Sequence, residues 1–171
     1  MNYPEKSEYN PYFQTYLKLV PKRDFLTLLN ENTQETVDFY TQLPLEKHNY
    51  KYAEDKWTIK EVLMHVIDTE RVFAYRALVC LRGDNSTVLH DMDEGLYASH
   101  TDVTSRSLNN LVEEFIAVRK NTRFLFQNAT EEQSKFPGNG LNQPFTARAL
   151  GHIMIGHNTH HMNVIRNRYF L

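Results

Sequence analysis

Apolar residues recur along the chain with helical period in four long segments, separated by polar stretches that carry Pro and Gly. In residues 22–43, Leu26, Leu29, Thr33, Val37 and Tyr40 return every three or four positions between Pro21 and Pro44. Residues 58–82 begin with Thr58 and Glu61 at capping-box spacing and end before Gly83, a residue suited to the turn after a helix. Residues 105–128 place Leu108, Leu111, Val112, Phe115, Val118 and Thr122 along one side, and residues 146–169 form the fourth segment. Pro137-Gly138-Asn139-Gly140 and Pro144 punctuate the last connection, while residues 83–104 form a connection longer than most between packed helices. No strand alternation, internal repeat or low-complexity run competes with this pattern. It predicts an all-α chain, one domain over residues 1–171, with four helices around one core and about 20 N-terminal residues as an irregular or short-helix extension.

Composition narrows the function classes. Hydrophobic residues make up 41% and charged residues 23% of the 171, which is enough apolar material for a core without cross-links. The net charge of −2, with Lys and Arg interleaved among Asp and Glu, weighs against nucleic-acid binding. The single cysteine, Cys80, cannot close an internal disulfide, and its apolar neighbours Leu78, Val79 and Leu81 mark it as a small buried hydrophobe. The first residues lack the basic and apolar regions of a signal peptide, and no apolar run approaches the roughly 20 residues of a membrane span. A cytoplasmic protein without a membrane partner is the expectation.

The candidate chemistry lies in the histidines. There are eight, and His152, His157, His160 and His161 fall within ten residues of one another on the last helix. At about 100° per residue, His157 and His161 lie one turn apart on the face that carries Leu150 and Val164. Imidazoles at i and i+4 suit two adjacent positions on one metal ion, and they equally suit two buried histidines bonded to backbone or carboxylate. His160 projects beside that face and His152 away from it. Asn158 occupies the place a helix-borne glutamate holds in His-Glu-x-x-His proteases, so that chemistry is not expected. A third ligand must come from elsewhere; His65, at the edge of the apolar arc of the second helix, is a candidate, although a lone histidine in such a place is more often structural, and Asp68 and Glu61 beside it could orient its ring as acceptors. The capping box accounts equally well for Glu61. His48, His90 and His100 fall in connections and read as solvated. Trp57 reads as an apolar anchor before the second helix, and Arg82-Gly83-Asp84 as a plain turn at its end.

These residues also carry a resemblance. Trp57-Thr58-Ile59-Lys60-Glu61, followed by His65, Asp68, Glu70 and Arg71, resembles the W-s-x-x-E-x-x-x-H-x-x-D-x-E-r stretch of the DinB/YfiT-like superfamily. Phe73, Tyr75, Arg76, Arg82-Gly83-Asp84, Asp93-Glu94 and Tyr97 continue it. Gly156-His157-Asn158-Thr159-His160-His161, with Ile165 and Arg168-Tyr169, resembles the closing motif. The family name refers to DNA-damage induction and carries no polymerase activity. The resemblance implies a four-helix bundle in up-down-down-up order, with His65, His157 and His161 as ligands of one divalent ion and His160 outside the set. Zinc or nickel is the expected metal, and a homodimer the expected assembly.

Three nitrogen ligands leave positions open on such an ion, unlike a closed structural zinc site. The resemblance therefore implies an enzyme acting on a small molecule. The leading expectation is activation of a low-molecular-weight thiol for S-transfer to an electrophile, as in thiol-dependent transferases and a mycothiol-dependent isomerase of this family. The alternatives are metal-dependent hydrolysis and a non-catalytic, metal-binding stress protein. Asp93 and Glu94, on the long connection, are the candidate bases, and a solvated loop explains them as readily.

Overall fold

The structure, a computed structural model, describes residues 1–140 and 145–170, so Pro144 lies outside the described residues. Six α-helices follow one another: α1 (Gln14–Leu17), α2 (Phe25–Thr41), α3 (Ile59–Leu81), α4 (Glu94–His100), α5 (Leu108–Gln127) and α6 (Ala147–Arg168). Each of the four long helices starts at a polar residue whose side chain satisfies an otherwise unpaired backbone N–H. Asp24 accepts from Thr27 N at 2.9 Å, Ser107 from Asn110 N at 3.1 Å, and Thr146 from Ala149 N at 3.2 Å. On α3 the capping box forms as the spacing predicts: Thr58 Oγ1 accepts from Glu61 N, and Glu61 Oε2 accepts from Thr58 N at 2.6 Å. The cap at Asp24 places the start of α2 later than the sequence pattern sets it. Gly83 takes φ +69°, closing α3 in a conformation few other residues adopt.

Side-chain pairs give the helix directions. Asn32 meets Thr159, and Arg166 meets Glu35, so α2 and α6 run parallel. Lys60 reaches the carbonyl of Arg106 while Glu70 meets Arg119, so α3 and α5 also run parallel. Tyr169 donates to Trp57 O at the start of α3, and His65 lies against His157, so α3 opposes α6. The result is the up-down-down-up bundle, with the long connection between α3 and α5. That connection contains α4 and a strand, β1 (Val88–Leu89), which pairs in parallel with β2 (Asn139–Gly140). These two short strands form no substantial sheet, and the chain is all-α as its pattern predicts. They tie together the two longest connections and carry no fold of their own.

The interior is layered along the bundle axis. One apolar cluster holds Leu17, Phe25, Leu29, Phe126, Leu150 and Ile153. The other holds Tyr40, Ile59, Leu63, Ile67, Phe115 and Ile165. Each fully buried side chain of this size contributes roughly 1.5–3 kcal/mol. Between the clusters, every long helix supplies buried polar groups: Asn32 and Thr36 from α2, Glu70 from α3, Arg119 from α5 and Asn158 from α6. Arg119 donates from Nε to Glu70 Oε2 at 3.0 Å and from Nη1 to Asn32 Oδ1 at 3.1 Å, and Asn158 Nδ2 donates to the same asparagine oxygen at 3.0 Å. This layer shifts two of the apolar stripes read from the sequence. On α2 the buried positions are Asn32 and Thr36 where Thr33 and Val37 are predicted, and on α5 Arg119 is buried more deeply than Val118. Hydrogen bonding across four helices outweighs side-chain hydropathy at these positions.

The first 20 residues pack on the bundle through short 3₁₀ turns and α1. Tyr3 Oη donates to Leu17 O at 2.7 Å, and the Arg148 guanidinium bonds to the Glu8 carboxylate and, at 3.1 Å, to Glu131. Gly156 permits the closest approach. A methyl group there would lie 2.3 Å from the backbone oxygen of Tyr16.

Candidate metal centre

His65 of α3 and His157 and His161 of α6 converge on one point just beside the polar layer. The i, i+4 spacing on α6 sets two rings side by side, and the antiparallel packing of α3 brings the third against them. His65 Nε2 and His161 Nε2 each lie 3.1 Å from His157 Nε2, and the ligand atoms of all three fall within 4.8 Å of one another. Two imidazole nitrogens held about 2.1 Å from a common ion stand roughly 3.0–3.4 Å apart for angles of about 90–110°. The observed spacing fits that geometry. Deprotonated ring nitrogens this close would otherwise set lone pair against lone pair.

Electrostatics favours the same state. Burial lowers the His65 pKa to about 4. Burial, reinforced by the neighbouring imidazoles, holds His157 and His161 well below the ordinary histidine range. The rings are therefore neutral near pH 7, which is the form that binds a metal. Each is braced by packing: His65 stacks at a tilt against Trp57, ring centroids 4.8 Å apart, and His157 meets the edge of Tyr16 at 5.2 Å. Trp57 thus does more than anchor a helix end; it forms a wall of the centre.

The flanking carboxylates have other commitments. Glu61 closes the α3 cap and lies 3.7 Å from Lys51, while Asp68 accepts from Arg71 at 3.1 Å. Neither bonds to a ring nitrogen of His65 among the described residues, although both line a small cavity beside that ring. The two acidic candidates on the long connection also separate. Asp93 caps α4 by accepting from Leu96 N at 2.9 Å. Glu94 lines both the cavity beside His65 and a larger one of about 320 Å³ beside His157.

The remaining histidines stay apart from the convergence point. His160 is half-buried against Tyr16 and His161. His152 is fully buried in the apolar cluster at the other end of α6, with Nδ1 donating to Arg148 O at 2.8 Å. His90 is exposed, and His48 is half-buried with its ring on Leu43 O. His100 ends α4 instead of lying in a loop. Cys80 is buried, and burial raises its thiol pKa to about 12, as its apolar setting predicts.

Sequence reasoning missed the roof of the centre. Tyr12, Phe13 and Tyr16 from the N-terminal segment, Phe73 and Arg76 from α3, and Met92 from the long connection line the cavity beside His157. A further cavity of about 380 Å³, bounded by Tyr52, Trp57, His160 and His161, flanks the third ring. Gly156, a helix-interior glycine next to a candidate ligand, was the available signal that another backbone approaches there.

No curated protein matches the chain. A solved structure, YfiT from Bacillus subtilis, described as a probable metal-dependent hydrolase with an unusual four-helix bundle topology, superposes with a TM-score of 0.72. It is 16% identical in sequence, over 96% of this chain and 89% of that one, a likeness that speaks for the fold. The family model of the DinB superfamily matches residues 28–165, which include all three converging histidines, and the chain belongs to that superfamily.

Proposed function

We propose that the protein is a metal-dependent hydrolase of small molecules, with one divalent ion held by His65, His157 and His161. The observation that carries the reading is the convergence of three neutral imidazoles beside cavities large enough for a substrate. The donor set suits zinc and nickel alike. When bound, such an ion supplies a Lewis acid that makes water, or a thiol, nucleophilic near neutral pH.

The chain's own groups then have distinct tasks. His65, His157 and His161 stay neutral because they are desolvated, and Trp57 and Tyr16 fix the orientations of two of the rings. Glu94, which lines the cavities beside both His65 and His157, is the carboxylate assigned to accept a proton. Tyr12, Phe13, Tyr16 and Phe73 give the larger cavity aromatic walls that exclude water from a bound substrate.

The test is metal analysis of untagged protein, followed by ester and amide hydrolysis assays before and after chelation. Chelator-sensitive hydrolysis that is lost in His161→Ala supports the reading. Turnover that appears only when a low-molecular-weight thiol is supplied would replace hydrolysis with S-transfer at the same ion. Turnover that survives verified metal removal would overturn both.

A further inference from the structure

Arg76 is the unexplained charge near the centre. It lies eleven positions after His65 on α3, hence about 20° around the helix and roughly 16 Å along it. Helical side chains lean toward the N-terminus, so the guanidinium reaches back along the face that carries His65. Its side chain is 9% exposed and lines the cavity of about 320 Å³ that His157 also lines. The guanidinium stands over the Phe73 ring, 5.4 Å from its centroid, and donates to the carbonyl of His90. No carboxylate lies within ion-pairing distance of it among the described residues.

Among the buried arginines of the described residues, that isolation sets Arg76 apart. Arg119, more deeply buried, has Glu70, and Arg148 has Glu8 and Glu131. Exposed Arg71 has Asp68 and Glu114. A buried cation is costly unless something pairs with it. Asp91 and Glu94 also line the cavity with exposed side chains, and Asp91 offsets only part of the burial that lowers the Arg76 pKa. Most of the remaining lining is aromatic or apolar: Tyr12, Phe13, Tyr16, Phe73 and Met92.

We infer that Arg76 is the anchor for the carboxylate of a substrate whose aromatic or aliphatic body lies along this wall, with the bond to be broken directed at the histidine centre. The inference rests on the proposed hydrolase reading for the reacting end of the substrate. The anchor itself needs only Arg76 and the cavity. A guanidinium with most of its N–H groups unclaimed among the described residues accepts a carboxylate in paired geometry, and low local polarity strengthens the pairing. The Asp91 and Glu94 carboxylates in the lining disfavour a second negative charge on the ligand, so the expected class is monocarboxylates.

The probe is phenylacetate, compared with its neutral isostere phenylacetamide, by titration calorimetry or ligand-observed NMR on the full chain as purified. Phenylacetate should bind at least about tenfold more tightly than the amide, and Arg76→Gln should remove that preference while Arg76→Lys keeps part of it. Metal content of both variants should match the parent. Equal binding of acid and amide to the unmutated protein overturns the inference and needs no variant to fold. So does phenylacetate affinity that survives Arg76→Gln but disappears on chelation, which would mean the carboxylate sits on the metal. Protein that binds no metal yet discriminates acid from amide through Arg76 would refute the hydrolase reading and leave the anchor standing.

Discussion

The two ends of α6 bury histidine for different purposes. At the N-terminal end, His152 is fully buried between the Tyr3 and Phe25 rings, its Nδ1 tied to Arg148 O and its Nε2 without a partner among the described residues. Toward the other end, His157 is buried and His161 half-buried, yet their Nε2 atoms face each other and His65. Desolvation depresses the pKa in both places, to about 4 for His152. Burial and a shifted pKa therefore do not distinguish a ligand from a packing residue. Convergence does: one orphaned nitrogen faces apolar side chains, and three face one another.

The comparison breaks most visibly through metal content. His161→Ala and His157→Ala should each weaken zinc binding by at least on the order of 100-fold, since even changes behind a ligand cost 10–100-fold. The bundle should stay folded, because its two apolar clusters take side chains from all four long helices. His152→Phe should leave zinc affinity as in the parent. Titration calorimetry with zinc checks all three. Chelation should lower the melting temperature of the parent and of His152→Phe, by about 2.7 kcal/mol of stabilisation for free metal at 100 times its Kd. It should leave His157→Ala unmoved. Metal loss in His152→Phe equal to that in His157→Ala would erase the distinction.

Acid should expose His152 in turn. Its folded pKa of about 4 lies below the ordinary 6.5, so between those values the unfolded chain binds a proton that the folded chain refuses. Stability conferred by the neutral ring is fully present above pH 6.5 and is lost progressively as pH falls from 6.5 toward 4. The loss is about 3 kcal/mol for this one group. Urea unfolding of metal-free protein at pH 7 and pH 4 measures it. His152→Phe should lose about 3 kcal/mol less than the parent over that interval. Parallel losses in the two proteins would show that the orphaned nitrogen finds a partner on protonation.

The same contrast explains what was legible in the sequence. The four helices were, because caps such as Thr58 with Glu61 and stripes such as Leu108 to Phe115 are local signals. The pairing of His157 with His161 was legible as geometry, and the third ligand only through the family motif, since no local rule brings residue 65 to residue 157. The polar layer was not legible: Asn32 and Arg119 look like surface residues until four helices close around them. Nor was the N-terminal roof, because Tyr12 and Tyr16 reach the centre through a contact at Gly156 that depends on the whole fold.

That contact yields a smaller effect. Gly156→Ala places a methyl group 2.3 Å from Tyr16 O and 2.7 Å from Tyr16 C, both backbone atoms that cannot rotate away. Gly151→Ala, at the His152 end, meets the ring edge of Phe25 at 2.9 Å. Overpacking of this kind costs about 1–3 kcal/mol, offset in part by up to about 1 kcal/mol of helix propensity. The expected outcome for Gly156→Ala is a net loss of about 1–2 kcal/mol in thermal or urea unfolding. Faster proteolysis within residues 1–20 and retained zinc binding should accompany it. Protection of those residues equal to the parent's would mean that the roof does not depend on the glycine.

The smallest effect is the sharpest control. His160 is adjacent in sequence to His161 and belongs to the same histidine-rich turn, yet it points about 100° away around the helix. Its ring packs edge-on to Tyr16 at 5.3 Å and to His161 at 5.2 Å, and it is absent from the group of ligand atoms that converge within 4.8 Å. Truncation to Ala removes an aromatic contact worth about 0.5–1.5 kcal/mol and no lone pair aimed at the ion. His160→Ala should therefore bind zinc within about threefold of the parent and melt within a few degrees of it. Direction around the helix, not membership of a histidine cluster, would then decide which rings are ligands. Zinc affinity falling as far in His160→Ala as in His161→Ala would place the fourth ring in the centre and remove one of the positions left open for chemistry.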